Sequence, residues 1–235
     1  MHALLLSAGV GERLRPLTEY LPKCLLPATS EGSLLKYWVK VLDDVGVDRI
    51  YINVFWLKDK VKNYIRSDIG RPLSKKIYVY EEETLEPIGE VLYALRKALG
   101  SSFVIINSDT HIDKSSVKQF FNYASVDAMK PICLGTSFQE NVSGKGLIEE
   151  RAGIVCRFEE KPKEEQTGFV YAGIMMMHES VFNKYPKGMK KLELTKDILP
   201  HFVNKMTVFD MGKILDIGSS VPDYYKAFEE LLLCR

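Results

Sequence analysis

The stretch that decides the fold reads Leu4-Leu5-Leu6-Ser7-Ala8-Gly9-Val10-Gly11-Glu12-Arg13-Leu14-Arg15-Pro16. An apolar run of strand length stops at Ser7. Two glycines spaced by one residue then let the backbone turn tightly and offer its N–H groups to an anion. Gly-x-Gly alone suits several phosphate sites, and two of them are excluded here. The dinucleotide fingerprint would need a third glycine at Leu14 and an acidic residue closing the second strand at Val54, and neither is present. The Walker pattern would need Gly-Lys-Ser/Thr at a spacing the chain lacks. What distinguishes this loop is the charge behind it: Arg13, Arg15 and Lys23 lie in a short span with Pro16, Thr18 and Pro22.

Outward from the loop, strand-length apolar runs alternate with helix-period segments at 2–7, 34–45, 49–54, 58–65, 77–80, 90–99 and 103–107. That βαβ rhythm predicts an α/β fold with a mostly parallel sheet and helices on both faces, and ligands then lie beyond the carboxyl ends of the strands. After Lys130 the pattern becomes strands with little helix between them, at 132–135, 146–150, 154–159 and 170–177. Helices return at 180–185, 195–201 and 222–233. No linker, repeat or low-complexity tract divides the chain, so residues 1–235 read as a single domain with halves 1–130 and 131–235.

Composition excludes other classes. Across 235 residues, 46% are apolar and 27% charged, which is globular rather than disordered or fibrous. Lys plus Arg total 32 against 31 Asp plus Glu, a formal charge of +1, so no basic field exists for a nucleic-acid backbone. Cys24, Cys133, Cys156 and Cys234 form no CxxC pair, and a reducing cytoplasm is the expected location. The apolar start is too short, and too poor in preceding Lys or Arg, for a leader, and no apolar stretch reaches bilayer length, so no membrane span is expected.

At this point the chain resembles the sugar-1-phosphate nucleotidyltransferases, whose signature G-x-G-x-R-x-x-P-x-T-x-x-x-P-K is met at Gly9, Gly11, Arg13, Pro16, Thr18, Pro22 and Lys23. The resemblance continues through Asn53-Val54, Glu86-Pro87-Ile88-Gly89, Asn107-Ser108-Asp109, Glu160-Lys161-Pro162, Tyr171-Ala172-Gly173, the 194–200 segment and Asp216-Ile217-Gly218 with Asp223-Tyr224. Short mannose- or heptose-1-phosphate guanylyltransferases look most similar. The resemblance implies a Rossmann-like three-layer nucleotidyltransferase fold of glycosyltransferase-A type, with 1–130 binding nucleotide and 131–235 binding sugar phosphate. It also implies Mg2+ as cofactor, a nucleoside triphosphate and a sugar 1-phosphate as partners, and allows a homodimer.

The implied reaction is attack of a sugar-1-phosphate oxygen on the α-phosphorus of the triphosphate, in service of glycan precursor synthesis. The second phosphate pKa is about 6, so the nucleophile is ionised at neutral pH and no general base is needed. The protein's task is to position two anions and neutralise their charge. Arg13 and Lys23 suit the triphosphate as catalytic cations. The family pattern places Leu6, Ala8, Gly9, Gly11, Glu83, Gly89 and Ser108 on the nucleotide. It places Asn107, Gly146, Glu160, Lys161, Ala172 and Gly173 on the sugar phosphate, and gives the metal to Asp109 and Asp216, each just past an apolar stretch. Glu83 or Glu86 could accept both N1–H and N2–H of guanine, which favours GTP.

Departures qualify the resemblance. Glu90-Val91-Leu92 stands where the family has T-A-G, replacing small residues near the expected base, and Ser108 replaces a glycine. The alternatives are therefore a cytidylyl- or uridylyltransferase acting on another phosphorylated substrate, or a catalytically silent nucleotide binder. Asp109-x-His111-x-Asp113 has metal-like spacing, but imidazole is a poor partner for a hard cation. Met175-Met176-Met177 reads as core packing, and Lys187, Lys190 and Lys191 as a solvated basic patch.

Overall fold

The first apolar run forms β1 (His2–Leu6), in which Ala3, Leu4 and Leu5 are fully buried. A one-turn helix, α1 (Leu17–Tyr20), leads to a small hairpin of β2 (Pro27–Thr29) and β3 (Gly32–Ser33). Then come α2 (Leu34–Asp44), β4 (Arg49–Val54), α3 (Lys58–Ser67), α4 (Arg71–Ser74), β5 (Ile77–Glu81), α5 (Ile88–Leu99), β6 (Ser102–Asn107), β7 (Thr110–Ile112) and α6 (Lys114–Tyr123). The chain continues through β8 (Ile132–Gln139), β9 (Gly146–Arg151), β10 (Ile154–Glu160), β11 (Gly168–His178), β12 (Met206–Asp210), β13 (Ile214–Asp216) and α7 (Val221–Leu233). This computed structural model describes residues 1–29, 32–142, 145–160, 166–185 and 191–233.

Two compact units emerge, and they interleave along the chain rather than meeting at residue 130. One comprises Met1–Leu85, Ile106–Ile112 and Ile214–Arg235; the other comprises Glu86–Ile105 and Asp113–Lys213. The boundary falls inside β6.

In the first unit β1, β4 and β5 pair in parallel, with Leu5 opposite Ile52 and Ile52 opposite Val79. Every residue of β4 after Arg49 is buried, as a strand covered on both faces requires. Ser33 caps α2 by accepting from the Lys36 N–H at 3.2 Å, and Leu34, Leu35, Trp38, Val41 and Leu42 recur at helical spacing to give it one buried face. That face does more than pack. The Trp38 Nε1–H donates to the Thr110 carbonyl at 2.9 Å and the Tyr37 hydroxyl donates to the Ile112 carbonyl, so adjacent aromatic residues of α2 fix both ends of β7. β13 joins β7 antiparallel, with Asp216 opposite Thr110 and Ile214 opposite Ile112. α7 packs Tyr224 and Ala227 with Leu14, Leu26, Ala28, Leu34 and Ile217, and the Tyr224 hydroxyl donates to the Pro27 carbonyl at 2.8 Å.

In the second unit β8 lies between antiparallel β11 and parallel β12, β12 meets β10, and β10 pairs with β9. β9 returns to β11 through Phe169 opposite Ile148 and Val170 opposite Leu147, so these strands close into a ring. β11 is buried almost throughout, including Met175, Met176 and Met177, which are core residues as their composition suggested.

Several elements differ from expectation. α6 has no counterpart in the periodicity reading; it exists because Asp113 caps it, accepting from the Ser115 N–H at 2.8 Å and the Ser116 N–H at 3.4 Å. β12 was likewise unmarked. The 195–201 helix is a π turn over Leu194–Ile198 followed by a 3₁₀ turn over Leu199–Phe202, because Pro200 removes a backbone donor and blocks a regular α ladder. The 180–185 segment is a 3₁₀ helix, Glu179–Lys184.

Because β7 hangs from α2 by aromatic hydrogen bonds, Trp38→Phe leaves the buried Thr110 carbonyl without its donor. Stability should fall by about 1–3 kcal/mol, read as a lower urea midpoint at unchanged slope.

Candidate active site

The loop after β1 is tied down before any ligand arrives. The Ser7 N–H donates to Asn53 Oδ1 at 2.8 Å, and Asn53 Nδ2 donates to Glu82 Oε1 at 2.7 Å. Asn53 and Glu82 are buried, Glu82 to 1% exposure. The amide on β4 thus joins the start of the loop to the residue that follows β5. Gly11 adopts φ +73°, and a Cβ there would lie 2.8 Å from Thr18 Cγ2. The Gly11 carbonyl accepts from Thr18 Oγ1 at 2.7 Å and from the Leu14 N–H at 2.9 Å. Trp56 Nε1 in turn donates to the Thr18 carbonyl at 2.8 Å. Gly11 is therefore demanded by the turn itself, whereas a Cβ on Gly9 would meet nothing within 4 Å. Open space beside Gly9 is what close approach of a phosphate requires.

Ala8 is buried beside that space. Leu6 and Ser108 face each other, since the Leu6 carbonyl accepts from the Ser108 N–H at 3.2 Å and from its hydroxyl at 2.7 Å. Half-buried Asn107 precedes Ser108, and exposed Arg13 and Arg15 flank the loop with no ion pair among the described residues.

The strongest convergence surrounds Gly218. The Lys23 ammonium pairs with Asp109 Oδ2, with side chains 14% and 28% exposed. The Ile217 N–H donates to the Asp109 carbonyl at 3.0 Å, and the Gly218 N–H donates to Asp216 Oδ1 at 2.9 Å. A Cβ on Gly218 would stand 2.1 Å from Lys23 Nζ and 2.8 Å from Asp109 Oδ2. One residue without a side chain therefore abuts both carboxylates and the lysine. Two carboxylates are the kind of oxygen donor a hard divalent cation takes together with phosphate and water, so the residues present fit magnesium. No group of three or more Asp, Glu, His or Cys suited to a metal occurs among the described residues. His111 instead lies against Tyr37, ring centroids 4.5 Å apart, and Asp113 is the α6 cap.

Cys24 follows Lys23 and is buried, which pushes its thiol up to about 12. It is a packing residue beside the charged cluster.

The remaining expected residues fall as follows. Glu83 is exposed next to the anchored Glu82. In the second unit, Gly89 is buried on α5: its N–H donates to the Leu192 carbonyl at 2.9 Å, and a Cβ there would lie 2.3 Å from that oxygen. Glu90 Oε1 accepts from the N–H groups of Lys191 at 2.6 Å and Leu192 at 3.3 Å, while Val91 and Leu92 are 0% and 1% exposed. The departure from T-A-G is thus a packing substitution, with the carboxylate tethering backbone and the bulky pair in the core. Gly146 and Glu160 stand opposite each other in the β9–β10 ladder. Ala172 and Gly173 lie in a register break of β11 between Tyr171 and Met175, where Gly173 has φ +81°. Lys161, Lys187 and Lys190 lie outside the described residues.

Glu82 is not among the residues expected from the sequence, and Gly218 enters there only within the Asp216-Ile217-Gly218 motif. The position of Glu82 after an alternating strand and opposite Asn53 was the available signal. Nothing in the sequence announces that Gly218 clears space for an ion pair.

A family model described as nucleotidyl transferase matches residues 2–232. UTP--glucose-1-phosphate uridylyltransferase of a Synechocystis species is 27% identical over 99% of this chain and 63% of its own length. Mannose-1-phosphate guanylyltransferase 1 of Arabidopsis thaliana is 29% identical over 93% of this chain and 61% of its own. The chain spans 42% to 63% of the length of such curated relatives. Among solved structures, HddC from Yersinia pseudotuberculosis, also known complexed with GMP-PN, superposes with a TM-score of 0.77 and 23% identity, covering 97% of this chain and 98% of that one. That likeness shows the fold.

The buried thiol gives a direct check on packing at the cluster. At pH 8, iodoacetamide should leave Cys24 and the buried Cys133 unmodified in the native protein, with half-buried Cys156 the first labelled of the three described cysteines, as peptide mass spectrometry would show.

Proposed function

The chain belongs to the nucleotidyl transferase family, and on that premise we propose that it joins a sugar 1-phosphate to a nucleoside triphosphate, GTP first, releasing pyrophosphate and an NDP-sugar. Residues 1–235 act in this reading as one nucleotidyltransferase domain. The observation that carries it is the gathering of Lys23, Asp109 and Asp216 around Gly218 in the unit that also holds the glycine loop. A sugar phosphate is already ionised, so the chain needs cations and oriented donors rather than a base, and that is what these residues supply.

In this scheme free N–H groups of the loop around Gly9 and the exposed Arg13 guanidinium receive the triphosphate. The Ser7 N–H is not among them, being held by Asn53. Lys23 carries positive charge to the reacting phosphates, and Lys161 serves the sugar phosphate. A divalent cation held by Asp109 and Asp216 would neutralise phosphate charge and orient the α-phosphoryl group. The sugar side is assigned to Gly146, Glu160, Ala172 and Gly173 on the family pattern.

GTP is favoured because Glu83 is an exposed acceptor beside the anchored Glu82, and a carboxylate can take two guanine N–H donors at once. The guanylyltransferase relative from Arabidopsis supports the same base. Uridylyl transfer is the second reading, because the Synechocystis relative aligns with nearly the whole chain.

Among the described residues no helix is long and apolar enough to cross a membrane. The reaction fits a cytoplasmic enzyme that draws on soluble substrates.

Asp109→Asn should reduce pyrophosphate release from GTP and mannose 1-phosphate by at least about a hundredfold, with an unchanged circular dichroism spectrum. Undiminished release would remove Asp109 from the site. A melting panel with Mg2+ and GTP, UTP, CTP, dTTP or ATP names the base. The preferred nucleotide at 100 times its Kd adds about 2.7 kcal/mol to the native state, and the rise should be greatest with GTP. A selective rise with UTP would transfer the assignment to uridylyl transfer.

A further inference from the structure

The seat of the Lys23 ammonium is the carboxylate that the proposed function gives to the metal. We infer that Lys23 is a placeholder cation: it occupies Asp109 while the site lacks its divalent ion, and it leaves for the nucleotide phosphates when such an ion takes that carboxylate. The inference rests on the metal reading of Asp109 and adds an order of events to it.

Three features carry it. First, Lys23 and Asp109 are half-enclosed rather than surface groups, so their attraction is only partly screened and competes with any other cation at Asp109. Second, the contact is built into the backbone. Gly218 leaves room for Lys23 Nζ where any Cβ would stand 2.1 Å away, and the same residue's N–H holds Asp216 Oδ1. Third, Asp109 and Asp216 sit at the paired end of β7 and β13, with the Ile217 N–H donating to the Asp109 carbonyl at 3.0 Å, so neither backbone can swing away to serve the two cations in turn. The mobile partner is the lysine, whose flexible stem can retract while the carboxylates stay fixed.

The consequence is coupling. Two carboxylates alone would concentrate divalent cations whether or not nucleotide was present. With Lys23 seated, one of their two charges is already neutralised, and the ion binds well only when phosphates offer the lysine a better place. Metal and nucleotide then favour each other's binding reciprocally.

The test is Mn2+ binding to the 235-residue chain without nucleotide, read from the electron paramagnetic resonance signal of the free ion. Lys23→Met removes the cation. Gly218→Ala keeps the cation but denies it the seat, since the methyl group displaces the flexible end of the side chain. Both variants should bind Mn2+ about tenfold more tightly than the parent, the weight of one nearby unit charge in a partly screened site, with melting curves confirming the fold. Asp109→Asn should abolish the binding in every background. Unchanged or weaker Mn2+ affinity in Lys23→Met, or in Gly218→Ala, overturns the placeholder role. Tight Mn2+ binding that survives Asp109→Asn instead overturns the metal reading, and the inference falls with it.

Discussion

A single buried amide ties together the carboxyl ends of the parallel strands. Asn53, at the close of β4, accepts the first N–H of the glycine loop and donates to Glu82 beyond β5, so three successive strand ends meet on one side chain. A buried amide can be tolerated only if its donors and acceptors are satisfied, and a buried carboxylate demands it more strongly. The loop consequently has its first peptide fixed by the fold, and the later turn is fixed by Thr18 and Trp56. Preorganised donors need no reorganisation as charge develops, which is the basis of electrostatic catalysis.

The same economy governs the charged cluster. Neighbouring carboxylates are costly when nothing neutralises them, and the proposed reaction would oppose like charges again. The chain keeps a lysine on one carboxylate and a backbone N–H on the other, with Gly218 between them. The exposed arginines of the loop make no ion pair among the described residues. In the second unit the corresponding effort goes into packing, where Gly89 lies hard against Leu192, Glu90 tethers the neighbouring backbone and β11 breaks register at Gly173.

The α/β alternation of the first half was legible because helices and strands there carry clean periodicity. α2 has one apolar face, and β1 and β4 are continuous apolar runs. α6 escaped because only Val117 and Phe120 are buried on it, leaving a weak stripe, and its start depends on Asp113, which looked like part of a metal motif. The 194–202 segment carries a helical pattern interrupted by Pro200, and the backbone answers with π and 3₁₀ turns. Interleaving of the two units was invisible because it arises from β7 and β13 pairing across a hundred residues of sequence.

The order of residues along the chain already contains the available chemistry: a glycine turn backed by Arg13 and Lys23, carboxylates at Asp109 and Asp216, and a spacing that matches the nucleotidyl transferase family. These are local properties of side-chain charge and backbone freedom, and they can be read in order along the chain. How those groups meet one another follows from the folded chain. It placed Lys23 on Asp109, put Gly218 against both, sank Glu82 beneath Asn53 while leaving Glu83 exposed, and turned Val91 and Leu92 into core residues. Each of these outcomes depends on which distant segments share a strand edge or a buried face, and that is set by the packing of the whole chain rather than by its neighbours in sequence.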